Sequence, residues 1–464
     1  MRTLTPTRRR RVPGLGAAIA LMAALAGCSG PCEKIDRING PALNANGVDL
    51  STYVAVGTSL SSGYESGGLV DRHQVHSFPS IFARQIGKTV DIVGGSGTFT
   101  QPTINQDGIP ALLEIKSFSP LIISNAGRTT GAPTNFAQPS AFHNMGIPGA
   151  ILVDLVDSSF YHSAPPQIRQ NFTYFNIIQR SRGLIVDQAL SLNPTVMSIE
   201  YGANEVLGPT ATAGVPPDPS TGPTYAQLMT IALNKIHTLS PNTRVAVFNV
   251  PDVATIPFFT TLSAFTVSLT TGQPVPLVGA NGPLQPGDLI RLSPGADSIA
   301  IGTGIPAGGY NYLNPGAGSN GRPLPESLIL RAAEVTATEA VLQSLNAVVD
   351  SVSTRPFVAK VDLAGLLSTI ATHGISIGGA DYTNEFVTGG LFGLDGVHPN
   401  DLGYALMANT MIDAINAKFG CFVPPVNPLS YASTNASALA PVRDHYPLVR
   451  GLDESFRMLF GKPN

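Results

Sequence analysis

Ser59 closes the run Tyr53-Val54-Ala55-Val56-Gly57-Thr58-Ser59-Leu60, where an apolar, β-branched stretch stops at a Gly-Thr-Ser turn. A run of this kind reads as a buried strand, and the turn leaves a hydroxyl at its carboxyl end. Open α/β sheets place their ligands there. A serine becomes a nucleophile only with a base to take its proton, a group to orient that base, and donors for a developing oxyanion. Leu394-Asp395-Gly396-Val397-His398-Pro399-Asn400 offers the first two. A neutral imidazole accepts a serine proton only when its other nitrogen is held as a donor, and a carboxylate three residues away on one turn can hold it. Asn204, in Glu200-Tyr201-Gly202-Ala203-Asn204-Glu205 after an expected strand, offers a side-chain amide as donor. Gly149, in Asn144-Met145-Gly146-Ile147-Pro148-Gly149-Ala150, offers a backbone N–H at a helix entry. Taken singly, an Asp-Gly turn, a Gly-Asn turn and a glycine-rich helix entry are all commonplace.

The elements that must position these residues alternate. Phe78 to Ile86 has helical spacing with Pro79 suited to a first turn, Ala150 to Val156 starts a short helix, and Ile177 to Leu192 reads as a stronger one. Thr195 to Tyr201 is an expected strand, Tyr225 to Leu239 a helix, Arg244 to Val250 a strand, about 325 to 353 a long helix and Phe357 to Leu363 a strand. Asn400 caps a last helix that runs to Phe419 and stops at Gly420. Alternating strands and helices imply a mostly parallel sheet covered on both faces. Two irregular excursions interrupt the pattern, about 64–142 (with a short strand at Pro120 to Ile123) and 253–324. The apolar residues of the second, among them Ile256, Phe258, Phe259 and Leu262, suit either a lid over substrate or a small core of their own. The tail beyond Pro424 lacks a strong pattern and is expected to wrap the surface.

Of the 464 residues 43% are hydrophobic and 12% charged, with 48 glycines and 39 prolines. That composition supports a large core with many turns and argues against a helical bundle. The first 27 residues read as a leader: Arg2 and Arg8 to Arg11 are followed by an uncharged apolar stretch, Gly14 to Ala26, too short for a comfortable span. Leu25-Ala26-Gly27-Cys28 resembles the lipobox of bacterial lipoproteins, which implies lipidation at Cys28 and a tether over 28–51. The leader holds five of the 27 basic residues and none of the 30 acidic ones, so the remaining chain has 22 against 30, a net of −8. Nothing in that balance suggests a nucleic-acid surface. The expected setting is the bacterial envelope, with the membrane as a partner through the lipid anchor. Cys32 and Cys421 lie near the two ends of the folded region and are expected to pair in an oxidising compartment.

In this order, the four stretches around Ser59, Gly149, Asn204 and Asp395–His398 resemble the four blocks of the GDSL or SGNH hydrolase family. The resemblance spans roughly residues 50 to 419. It implies a three-layer α/β/α, flavodoxin-like domain over 52–420 with two large loop insertions, and an extension over 421–464. It implies Ser59 as nucleophile, His398 as base and then acid, and Asp395 as its orienter. It also implies an oxyanion hole from the Ser59 and Gly149 amides and the Asn204 side chain, with no cofactor. Thr58 and Glu205 depart from the family pattern, each standing where an Asp is usual. The nucleophile elbow Gly-x-Ser-x-Gly is not met at Ser59, because Ser61 takes the second glycine position. Lipid or short-to-medium acyl esters are the expected substrates; a polysaccharide or glycan O-acetylesterase, or an envelope binding protein without catalysis, are the alternatives. His73 and His76 are read as surface histidines with no third metal ligand, so no metal is expected, and His143 as a packing residue.

Overall fold

The apolar run before Ser59 is the strand β1 (Tyr53–Gly57), second in a five-stranded sheet. The computed structural model describes residues 42–90, 97–118, 121–159, 172–434, 448–450 and 452–460, all within one compact unit, Arg37–Asn464. The other sheet strands are β2 (Asn144–Gly146), β3 (Val196–Glu200), β4 (Arg244–Phe248) and β5 (Val358–Val361). Their order is β2-β1-β3-β4-β5 and every pairing is parallel. This is the flavodoxin-like order, whose switch point falls between β1 and β3, the two strands that Ser59 and Asn204 follow.

The helices that concern the site are α1 (Phe78–Gln85), α2 (Ile185–Ser191), α3 (Ala203–Ala213), α4 (Thr221–Leu239), α5 (Ala332–Val352), α6 (Leu363–His373), α7 (Asp401–Phe419) and α8 (Leu452–Phe460). Side chains of a strand alternate between faces, and the core divides accordingly. Val54, Val56, Met197, Ile199, Val245 and Val247 pack in one layer with apolar residues of α2, α4 and α5. Tyr53, Ala55, Val196, Ala246, Phe248 and Val361 pack in the other with α1 and α7. The result is a three-layer α/β/α domain, as the resemblance implied.

Several local expectations need correction. The single helix over 177–192 is two, Phe172–Gln179 and α2. Arg180, Ser181 and Gly183 between them have φ of 47°, 58° and 91°, and the Arg180 guanidinium donates to the carbonyls of Gln138 (2.6 Å) and Ser140 (2.7 Å). Tertiary contacts therefore overrode local helical spacing. The long helix begins at Ala332 rather than near 325, because Ile329–Leu330 pairs with Leu289–Ile290 as a short antiparallel ladder. Described parts of the tail enter the fold instead of wrapping its surface: Leu448–Arg450 pairs with Ile122–Ser124, and α8 buries Leu452, Phe456 and Leu459 in the main core. In the 253–324 excursion Phe258, Phe259 and Leu262 are likewise buried in that core, so they do not face a substrate.

Candidate active site

β1 ends at Gly57, and Thr58 caps a single helical turn, Ser59–Ser62, so Ser59 stands first on that turn. What fixes the turn is Glu200, the last residue of β3, paired in register with Gly57. Its carboxylate accepts from Thr58 N–H (3.0 Å), Ser61 N–H (3.2 Å), Ser61 Oγ (3.0 Å) and Thr58 Oγ1 (2.9 Å). An Asp at position 58 would set a second carboxylate beside this one; Thr58 supplies a donor instead. Glu200 is buried, and although these hydrogen bonds favour the ionised form, desolvation outweighs them and pushes its pKa up to about 7. Sequence reasoning gave Glu200 no role.

His398 arrives from the other end of the chain. Its Nε2 lies 2.9 Å from Ser59 Oγ, and its Nδ1 lies 2.9 Å from Asp395 Oδ2. The second Asp395 oxygen accepts from the Val397 (2.8 Å) and His398 (2.9 Å) amides, and Oδ2 also accepts from Gly67 N–H (2.8 Å). This tight return requires Gly396 at φ 69°, the left-handed region that glycine enters freely. Burial by itself would raise the Asp395 carboxyl. The His398 interaction and the two amides outweigh it and hold the pKa below the ordinary value. The Tyr64 ring packs on the imidazole with centroids 4.7 Å apart. The Ser59, His398 and Asp395 side chains are almost wholly buried, so they form one continuous, desolvated hydrogen-bonded relay.

The three expected oxyanion donors differ in their surroundings. Neither Ser59 N–H nor Gly149 N–H meets a hydrogen-bond acceptor among the described residues. Asn204, the second residue of α3, spends one amide hydrogen on Ala150 O (2.7 Å). Its neighbour Glu205 accepts from Leu152 N–H (2.7 Å). The pair thus ties the 147–152 loop to α3. Gly149 has φ 76°, and a Cβ there would lie 2.2 Å from Leu459 O of α8. Only glycine fits that approach.

Ser59, His398 and Asn204 line a cleft whose remaining wall is mostly apolar. Leu363, Leu366, Leu367 and Ile370 come from α6, Leu406 and Met407 from α7, and Val253 and Ile256 from the start of the 253–324 excursion. The sequence reading missed α6. Its signal was present: Asp362 caps it, accepting from Gly365 N–H (3.1 Å), and the leucines recur at helical spacing.

His143 takes a packing role, its Nδ1 3.0 Å from Thr100 Oγ1. The reading of His73 as a surface residue is wrong: it is buried, 3.0 Å from Asp401 and 3.2 Å from Glu65. His76 is half-buried against the second Asp401 oxygen, at 2.9 Å. Cys421 is buried, and burial pushes its thiol above the ordinary value. Cys28 and Cys32 lie outside the described residues, and so does any pairing of Cys32 with Cys421. Among the described residues no helix is long and apolar enough to cross a membrane.

No protein-family profile and no curated protein matches this chain. Among solved structures, a protein from Parabacteroides merdae described as a GDSL-like lipase matches at 13% identity over 80% of this chain and 99% of its own, with a TM-score of 0.33.

Proposed function

We propose that this chain is a serine hydrolase that cleaves carboxylic esters through an acyl-enzyme on Ser59. The observation that carries the reading is the relay Ser59 Oγ–His398 Nε2–Asp395, with both hydrogen bonds at 2.9 Å, opening onto an apolar cleft. Ser59 Oγ attacks the ester carbonyl as His398 Nε2 takes its proton, and Asp395 stabilises the imidazolium so formed. The free Ser59 and Gly149 amides and the second Asn204 amide hydrogen suit the developing oxyanion. His398 then protonates the departing alkoxide, and a water activated by the same imidazole releases the acid. No cofactor enters these steps.

The favoured substrates are esters of lipids or of short-to-medium acyl chains, because the leucines of α6 offer a surface suited to an alkyl chain and little to a sugar. We further propose a lipoprotein of the bacterial envelope, anchored through Cys28 after removal of the leader. The test is a chain-length series of p-nitrophenyl esters with purified wild type, Ser59→Ala and His398→Ala. Activity that rises beyond acetate and vanishes in both folded variants is the expected result. Preference for acetate alone would favour the glycan O-acetylesterase reading. Substantial turnover by folded Ser59→Ala would overturn the assignment, and inactivity of wild type on every ester would leave a binding protein.

A further inference from the structure

One buried cluster takes no part in the relay. Glu65 belongs to the loop whose Gly67 holds Asp395, His73 to the short helix Asp71–Gln74, and Asp401 opens α7 three residues after His398. Glu65 and Asp401 are each only 1% exposed. His73 Nδ1 stands 3.0 Å from Asp401 Oδ1 and 3.2 Å from Glu65 Oε2, and one ligand atom from each residue falls within 4.8 Å of the other two.

Protons serve this cluster only in part. A single ring nitrogen carries one hydrogen, which cannot satisfy two carboxylates at once. Glu65 Oε2 is fully buried and receives no hydrogen bond, a costly state for a carboxylate oxygen aimed at a cluster of other donor atoms. Without a cation the two carboxylates lie together because Glu65 keeps a proton: burial, then the charge of Asp401 and a hydrogen bond with it, raise its carboxyl well above the ordinary value. A divalent cation would take the place of that proton and meet the unpaired Oε2. Around a tetrahedral ion at zinc-like bond lengths, neighbouring ligand atoms stand about 3.3–3.6 Å apart, and the two His73 contacts, at 3.0 and 3.2 Å, lie close to that spacing. His76 Nδ1, 2.9 Å from the other Asp401 oxygen, is placed as the outer partner that orients a ligating carboxylate.

We propose that Glu65, His73 and Asp401 form a divalent metal site of the zinc class, which clamps the Asp395-supporting loop to the start of α7. Imidazole nitrogen with carboxylate oxygens and no sulfur suits a first-row transition ion better than calcium, which takes all-oxygen shells. The proposal is independent of the reaction assigned to Ser59.

The test uses the untagged full chain, stripped with a chelator and titrated with Zn²⁺ and Co²⁺. Wild type is expected to bind about one equivalent, to show the intense visible bands of four-coordinate Co²⁺, and to melt at a higher temperature with metal. His73→Ala should weaken binding by roughly tenfold or more and remove the bands. Glu65→Gln, which keeps the side-chain shape, serves the same purpose should His73→Ala fail to fold. Wild type without bands and without a thermal shift would overturn the proposal, as would equal uptake by wild type and Glu65→Gln.

Discussion

Replacing Glu200 by Gln isolates the group that anchors the nucleophile turn. The substitution keeps shape and burial and removes only the capacity to ionise. The Glu200 pKa is about 7 in the fold against an ordinary 4.5, so ionisation is harder in the folded chain than in the unfolded one. A carboxyl raised in this way leaves stability intact below about pH 4.5 and erodes it as pH climbs through 7. A gap of that size is worth about 3 kcal/mol at alkaline pH. The glutamine variant escapes this loss. Its fixed offset from wild type, set by how well an amide replaces a carboxyl against four donors, is on the order of 1 kcal/mol in either direction. That offset does not change with pH, whereas the Glu200 contribution does. Urea unfolding followed by circular dichroism at pH 5 and pH 8.5 separates the two. Between these conditions, the stability of Glu200→Gln relative to wild type should move by about 2–3 kcal/mol in the variant's favour. Taking the difference between the chains cancels Asp395 and every other titrating group they share. Parallel curves, agreeing within about 0.5 kcal/mol at both pH values, would refute the reasoning about desolvation.

Asn204→Ala should lower kcat by roughly 10²–10³ with little change in KM, because the amide acts on the charged intermediate; a change confined to KM would mark a substrate-binding role instead. Gly149→Ala forces a left-handed alanine, costing about 1–2 kcal/mol, and drives its methyl into Leu459 O. The expected outcome is a lower melting temperature together with slower acylation in a stopped-flow assay. Cys28→Ser should release the protein from membranes without loss of esterase activity, read by fractionation and by labelled fatty-acid incorporation into wild type. A non-reduced peptide digest should contain a Cys32–Cys421 cross-link, and two alkylatable thiols would sink that pairing.

Much of the relay was legible because each member sits on a short local pattern. Ser59 ends an apolar strand, and Asp395 and His398 share one turn ahead of a capped helix. The sheet was legible where strands were long and apolar, as at Val196–Glu200. β2 was not, because Asn144-Met145-Gly146 has no strand propensity of its own; the register beside Ala55 to Gly57 and the Asn144 amide on Ser61 O (2.8 Å) place it. Glu200 was invisible as an anchor because its burial comes from the neighbouring strand, which composition does not encode. The same holds for Glu65 and His73, whose partner Asp401 lies 328 residues beyond His73. The 177–192 helix failed for the opposite reason: its spacing was helical, but Arg180 found better partners elsewhere.

The last helix gives the site an order of events in time. Ser455 Oγ donates to Gly67 O, 388 residues upstream in the chain, and Leu459 closes on Gly149. Ser59 and His398 are themselves 339 residues apart. A growing chain that has already folded β1 therefore exposes a serine with no base, and the loops around it stay open until α8 arrives. A chain that carries this relay would therefore remain chemically idle through almost all of its synthesis.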